Sequence, residues 1–291
     1  MTVYFILLVG ILAVSSASIL IKLCDAPSMV IASYRLTISS LVFVAMAGIK
    51  RVNPVSAFSQ RDLLFAAASG LFLCLHFATW ITSLNYTSVA NSVVLVSTTP
   101  IFVAIGSLLF LKEKISKLQL LGISLTVIGG VVLGSEFSVD AQTSMFGNAL
   151  ALMGAVGGAG YFLLGRELRA RIDTLDYVTV VYATTAVLMI VITSFFDVSF
   201  VGYTFEIYLL LILIALVPQV IGHTSFNWAL KYVSATMVAV ITLGEPIGAS
   251  ILAFFILDEK LTAFQMIGGM LILTGVAVAI RGESGRKIQA S

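Results

Sequence analysis

The chain has 291 residues, of which 59% are hydrophobic and only 10% are charged, and its formal net charge is +2. Soluble domains carry about 25% charged residues, so this composition excludes an ordinary soluble fold and predicts an integral membrane protein. The net charge is too small to indicate a nucleic-acid partner.

Ten apolar stretches are long enough to cross a bilayer as helices, because about 20 apolar residues span the hydrocarbon. The first begins at Val3 and continues too far for a signal peptide, so it is interpreted as a span. The links are short and polar, and no extramembrane domain is expected. The predicted spans are residues 3–22, 29–49, 63–84, 89–111, 118–134, 146–165, 177–196, 207–230, 235–257 and 263–281.

Basic residues fall on one side of the predicted membrane. Thirteen of the sixteen Lys and Arg residues lie in segments that are cytoplasmic if the N-terminus is inside. The outer links hold only Lys22 and Lys260, and Arg35 lies within a span. Because basic residues accumulate in cytoplasmic loops, this asymmetry predicts that both termini are cytoplasmic.

The chain contains an internal repeat. Residues 85–130 align without gaps on residues 231–276, so that Pro100 pairs with Pro246 and Glu113 with Glu259. Each repeat holds five spans, an odd number, so the second enters the membrane from the opposite side. We therefore predict an all-α integral membrane fold with ten transmembrane helices, arranged as two inverted-topology five-helix repeats. The repeats are placed at 1–136 and 145–282, with a cytoplasmic tail at 283–291.

The repeated segments carry a family resemblance. "TTPIFVAIGSLLFLKEKIS" (98–116) and "GEPIGASILAFFILDEKLT" (244–262) resemble the repeated signature of the drug/metabolite transporter superfamily, in its EamA-like ten-helix branch. In that pattern a Pro, often preceded by Glu in the second copy, begins an apolar run that ends in a Glu. The resemblance covers nearly the whole chain. It implies a permease of the bacterial inner (plasma) membrane, often an exporter of amino acids or related metabolites.

Polar side chains inside the predicted spans are the candidates for solute binding. Several lie four or seven residues apart and so share a helix face. The alternatives are a core His bonded to a backbone carbonyl, an interfacial Trp and hydrogen bonds that only join helices. The candidates are His76, Trp80, Asn91, Thr98, Tyr161, His223 and Asn227.

Glu245 lies in the middle of the ninth span, directly before Pro246. A carboxylate at that depth is costly, so we expect it to face protein or a wet cavity. It acts either in the fold or gating beside the Pro246 helix break, or in proton coupling or cation binding. Pro100 marks the equivalent break in the first repeat. Arg35 either snorkels to the outer interface, attracts an anionic group of the solute or pairs with an acid.

Glycines in the fifth and sixth spans predict close helix packing. Gly154, Gly157 and Gly158 lie in the sixth span, and Gly122 lies with Thr126 in the fifth. The fifth-span pattern packs either within the chain or against a second chain, so both a monomer and a homodimer remain open.

The leading interpretation is a secondary active transporter of small organic solutes, specifically an exporter of amino acids or related metabolites. It would work by alternating access at a midplane cavity between the repeats. The alternative is a multidrug or lipophilic-cation proton antiporter, or a uniport facilitator. Motifs of nucleophilic, metal-dependent and phosphate-binding enzymes are absent from the sequence, so no enzyme activity, catalytic residue, metal or cofactor is predicted. The expected partners are the solute, membrane lipid and, in a coupled mechanism, protons.

Overall fold

The computed structural model describes residues 2–83, 86–87, 92, 95–134, 144–256 and 261–289, with the backbone alone for 134 and 284–289. This part of the chain is helical and contains no strand. A 3₁₀ turn, Pro54–Ala57, precedes the third helix. The helices are α1 (Thr2–Leu23), α2 (Ser28–Ile49), α3 (Gln60–Ser83), α4 (Thr99–Leu109), α5 (Lys117–Gly134), α6 (Met145–Arg169), α7 (Thr174–Thr193), α8 (Phe205–Ala229), α9 (Ala235–Thr242), α10 (Glu245–Ile256) and α11 (Ala263–Gln289).

Eight helical stretches in the described residues are long and apolar enough to cross a membrane. One of them, Ala235–Ile256, comprises α9 and α10 together. Two shorter apolar helices, Thr99–Leu109 and Lys117–Leu133, fall in the predicted fourth and fifth spans. The prediction of an all-helical membrane protein is therefore confirmed, whereas the count of ten spans and the inverted repeat stay predictions.

Two helix breaks lie directly before prolines. The backbone turns at residues 97–98 and again at residues 243–244, and α4 and α10 begin at the next residue. Pro100 and Pro246 therefore occupy first turns, where a missing N–H leaves no helical hydrogen bond unmade. The hydroxyl of Ser15 in α1 donates to the backbone carbonyl of Glu245 at 3.1 Å, which ties α1 to the second break.

The middle of α8 is irregular, and the sequence analysis did not predict this. A π-helical segment, Ala215–His223, separates the α-helical segments Phe205–Ile214 and Thr224–Ala229. Pro218 lies inside it and has no N–H to donate, so a regular α-helix would be interrupted there. π-helical turns are rare and frequently found at functional sites.

Glycines bring neighbouring helices into backbone contact. A Cβ added to Gly157 of α6 would lie 2.7 Å from the backbone nitrogen of His76 in α3. A Cβ added to Gly122 of α5 would lie 2.7 Å from the backbone oxygen of Gly275 in α11. The small residues of the fifth span therefore pack against a helix of the same chain, which is the first of the two alternatives.

Ion pairs join the two halves of the chain at one end of the helices. Nη2 of Arg171 lies 2.6 Å from Oδ1 of Asp62, and Nε of Arg166 lies 3.0 Å from Oε1 of Glu113. The hydrogen bond to Asp62 raises the pKa of Arg171 above its usual value, so this guanidinium stays charged at any physiological pH. These residues belong to the end that the sequence analysis assigns to the cytoplasm.

The last helix continues through the predicted start of the tail. α11 extends to Gln289, and Glu283 is buried within the protein. The carboxylate of Glu283 accepts hydrogen bonds from the Gln119 side chain at 2.6 Å and from the Ser234 backbone at 3.0 Å. Residue 283 is thus part of the packed structure, and it connects α5 with the start of α9.

The contact between α3 and α6 generates a stability prediction. Gly157→Ala should lower the melting temperature of the detergent-solubilised protein, because the new methyl group forces the two backbones apart, an overpacking penalty of about 1–3 kcal/mol. Gly48→Ala is the matched control, since a Cβ there meets nothing within 4 Å. Equal melting temperatures for the two variants would contradict the close approach of α3 and α6.

Candidate functional site

A cavity of about 200 Å³ lies between helices of both halves of the chain. Its wall is formed by side chains of α1, α2, α3, α6 and α8 and by the residues around the two helix breaks. The breaks therefore bring the first turns of α4 and α10 to the cavity, together with the side chains of Thr99 and Glu245.

Most of the predicted site residues lie on this wall. Asn91 is outside the described residues, so its prediction stays open. Thr98 and Pro100 are not among the described residues that line the cavity, and the Thr98 hydroxyl donates to the carbonyl of Leu95 in its own segment. The predicted residues on the wall are Arg35, His76, Trp80, Tyr161, His223, Glu245 and Pro246.

Asn227 lies behind the wall and fixes a residue that forms it. Its amide nitrogen donates to the hydroxyl of Tyr161 at 2.6 Å and to that of Tyr182 at 3.1 Å. All three residues are buried. Because the Tyr161 hydroxyl is held by Asn227, this phenol has one preferred orientation at the cavity.

His76 and Trp80 form a stacked pair on α3. Their ring centroids are 5.8 Å apart with an interplanar angle of 20°. Nδ1 of His76 lies 2.8 Å from the carbonyl of Gly154, so it carries the hydrogen and leaves Nε2 as an acceptor. The indole nitrogen of Trp80 is buried and has no acceptor among the described residues. The alternative of a histidine bonded to a backbone carbonyl therefore holds, and the same ring also lines the cavity.

His223 comes from the π-helical segment and is surrounded by aromatic rings. Its ring centroid lies 5.7 Å from that of Phe77, 6.0 Å from Phe226 and 6.4 Å from Tyr161. Its Nδ1 atom is buried and has no hydrogen-bond partner in the described part of the chain. Like Trp80, it offers the cavity a polar atom that no described residue pairs with.

Arg35 and Glu245 bring opposite charges to the same cavity. Arg35 is 4% exposed, its Nε donates to Oε1 of Gln219 at 2.7 Å, and its guanidinium lies 4.6 Å from the ring centroid of Phe77. No residue of the described ranges hydrogen-bonds to the Glu245 carboxylate, and no ion pair within 4.0 Å joins it to Arg35.

The residues that complete this site were not predicted from the sequence. Phe77, Phe162 and Phe226 form much of the wall, but apolar residues in apolar spans carry no signal that separates a cavity from lipid. Gln219 was also missed, although an amide next to Pro218 in an otherwise apolar span was a usable signal. Tyr182 could not be predicted from the sequence, because its hydroxyl accepts a hydrogen bond from Asn227, which is 45 residues away.

Comparison with known protein families matches the EamA-like transporter family over residues 1–135 and again over residues 145–281. The chain belongs to the EamA-like transporter family. The resemblance to the drug/metabolite transporter superfamily is thereby confirmed, and the match repeats once in each half of the chain.

Relatives of this EamA-like chain are named as transporters. An "Uncharacterized transporter" of Archaeoglobus fulgidus is 27% identical over 251 residues, which cover 84% of this chain and 85% of the relative. The "Uncharacterized transporter YetK" of Bacillus subtilis is 28% identical over 77% of this chain and 70% of its own length. These names support transport and agree with the expectation that the protein is not an enzyme.

A solved structure shares the fold of this EamA-like chain. It is titled "Crystal structure of protein" and matches with a TM-score of 0.84, over 98% of this chain and 99% of the other. The sequence identity is 19%, so this likeness shows the fold alone.

The buried bond between Asn227 and Tyr161 can be tested by a double-mutant cycle. Tyr161→Phe removes one of the two acceptors of the Asn227 amide. Combining it with Asn227→Leu should therefore cost less than the sum of the two single losses, with a coupling of about 0.5–3 kcal/mol. Thermal melting in detergent measures each loss. Thr193→Val is the control partner, because Thr193 bonds to Ser33 and Met29 and shares no partner with Tyr161. Additive losses for Tyr161→Phe with Asn227→Leu would contradict the contact.

Proposed function

We propose that this EamA-like transporter is a secondary active transporter of small organic solutes, which exports amino acids or related metabolites by alternating access. The observation that carries the proposal is the cavity between the halves, where polar atoms of Trp80 and His223 and the Glu245 carboxylate have no partner among the described residues. Leaving such groups unpaired inside a protein is unfavourable, and a bound solute removes that cost.

The proposed architecture is two inverted five-helix repeats, at 1–136 and 145–282, in the inner (plasma) membrane with cytoplasmic termini. The repeated family match supports it, since each matched segment contains one helix break directly before a proline, Pro100 or Pro246. Transporters with inverted repeats bind their solutes near the midplane, where discontinuous helices meet.

Alternating access requires one end of the cavity to close while the other opens. We assign the closing of the cytoplasmic end to the two inter-half ion pairs, in which Asp62 meets Arg171 and Glu113 meets Arg166. The four side chains keep 12–42% of their surface exposed, so water can take the place of each partner when the pairs separate. The cavity would then open to the cytoplasm and load its solute.

A second candidate is a proton antiporter of lipophilic cations, or a facilitator. The unpaired Glu245 carboxylate and the aromatic wall favour a cation as cargo, because ring faces attract positive charge. The arginine in the same cavity opposes it, since a cation near Arg35 is repelled.

Flux through purified protein in liposomes tests the proposed function. We expect saturable transport of a subset of amino acids, driven by a proton gradient, and we expect Glu245→Gln to lose the dependence on the gradient. Glu206→Gln is the control, because Glu206 is an exposed acid at the start of α8. Flux that ignores the gradient in the unmodified protein would favour a facilitator, transport of lipophilic cations alone would favour the second candidate, and no saturable flux of any solute would contradict transport.

The proposed orientation can be tested by labelling single cysteines in intact cells. The native Cys24 and Cys74 are buried, so the unmodified protein gives the background. We expect Val201→Cys to react with a membrane-impermeant maleimide from outside, and Ala57→Cys to react only after permeabilisation, since both positions are exposed at opposite predicted faces. The reverse pattern would place the N-terminus outside.

A further inference from the structure

The cavity contains a guanidinium and a carboxyl group that make no direct contact with each other. Arg35 and Glu245 both line it, yet no ion pair within 4.0 Å joins them and no described residue hydrogen-bonds to the carboxylate. Charged groups at membrane depth are expensive unless they meet a counter-charge or water. Among the described residues, neither terminal edge of these two groups is occupied by a direct partner, so each is open to contact from a solute group of opposite sign.

Arg35 is held in a way that leaves its terminal nitrogens available. Its Nε is occupied by Oε1 of Gln219 at 2.7 Å, and the plane is supported by the Phe77 ring. Neither Nη1 nor Nη2 has an acceptor among the described residues. A planar guanidinium with its two terminal nitrogens free matches the two oxygens of a carboxylate.

Gln219 reaches this guanidinium from behind the wall. It is fully buried and does not itself line the cavity. It belongs to the π-helical segment of α8, directly after Pro218. Because the amide oxygen occupies Nε, the free edge of Arg35 is the one formed by Nη1 and Nη2. Gln219 is thus placed to orient the arginine without touching a solute.

We propose that the cavity is a bipolar site for a zwitterion, in which Arg35 binds the carboxylate, Glu245 binds the cationic group and Gln219 is the positioning residue for Arg35. The proposal rests on the proposed transport function and adds the orientation of the solute to it. A phosphate dianion fits less well, because Glu245 repels the second negative charge. The aromatic residues of the same wall, such as Trp80 and Phe162, would pack against the apolar side chain of the zwitterion.

Four compounds that share one side chain distinguish binding at Arg35 from binding at Glu245. L-Phenylalanine carries both charges, 3-phenylpropanoate only the carboxylate, and 2-phenylethylamine and L-phenylalaninamide only the cationic group. Binding to the purified full chain is measured by calorimetry. We expect the zwitterion to bind more tightly than each single-charge compound by about tenfold or more, because each lost group leaves one buried charge unpaired.

Variants then show which residue binds which charged group of the solute. Gln219→Leu and Arg35→Lys should each weaken binding of L-phenylalanine and 3-phenylpropanoate by about tenfold, because both disturb bidentate recognition of the carboxylate, while 2-phenylethylamine is unaffected. Glu245→Gln should weaken L-phenylalanine and 2-phenylethylamine and leave 3-phenylpropanoate unchanged. Phe77→Leu keeps Gln219 and removes the ring under the guanidinium, so it covers the case in which Gln219→Leu does not fold. Glu206→Gln, remote from the cavity, is the matched control.

The outcomes separate this proposal from the proposed function. Equal loss of all four compounds in Gln219→Leu would mean that Gln219 only stabilises the fold, and would overturn its positioning role. Saturable liposome flux of other solutes, without binding of any of the four compounds, would overturn the bipolar site and leave transport intact. Pole-specific binding without flux would support the site and contradict transport.

Discussion

The cost of a charge inside the hydrocarbon governs the centre of this molecule. Arg35 and Glu245 lie on different helices, and each needs a polar environment that lipid does not provide. The chain supplies it with a cavity rather than with a direct ion pair, since the two line the same space without pairing. A direct pair would satisfy both charges and leave nothing for a solute. In the proposed site, their separation leaves two groups that a solute can contact.

Irregular backbone is concentrated around this cavity. The breaks at residues 97–98 and 243–244 and the π-helical segment Ala215–His223 all contribute side chains to it or to its support. Irregular backbone is tolerated at membrane depth only where protein or water satisfies its polar groups. The Ser15 hydroxyl, bonded to the carbonyl of Glu245, is one such compensation. The two charged residues and the irregular backbone therefore depend on the same polar surroundings inside the protein.

The sequence predicted those residues of the cavity that are polar within otherwise apolar spans. Glu245 and His76 stand out in apolar spans, and both line the cavity. Asn227 stands out equally, but helical periodicity gives only the face and not the depth of a side chain, so its place behind Tyr161 was not predictable. The position of Gln219 depends on a π-helical segment, and no residue pattern in the sequence predicts the wider backbone of such a segment. The packing of Gly122 against Gly275 was foreseen as close packing, while its partner helix required the fold.

The two charged residues lie in different halves of the chain, and in the proposed mechanism this would link binding to conformational change. Arg35 precedes residue 136 and Glu245 follows residue 145, as do the partners in the two ion pairs at the predicted cytoplasmic end. A solute that touches both charges bridges the halves, so its affinity depends on their separation and is highest in one arrangement. A ligand shifts a conformational equilibrium only by its differential affinity for the two states. In the proposed site, a zwitterion held between Arg35 and Glu245 would have such a differential, because its contacts depend on the distance between the halves. The bipolar site is therefore also the simplest physical means by which the cargo itself would drive the rocking of the halves.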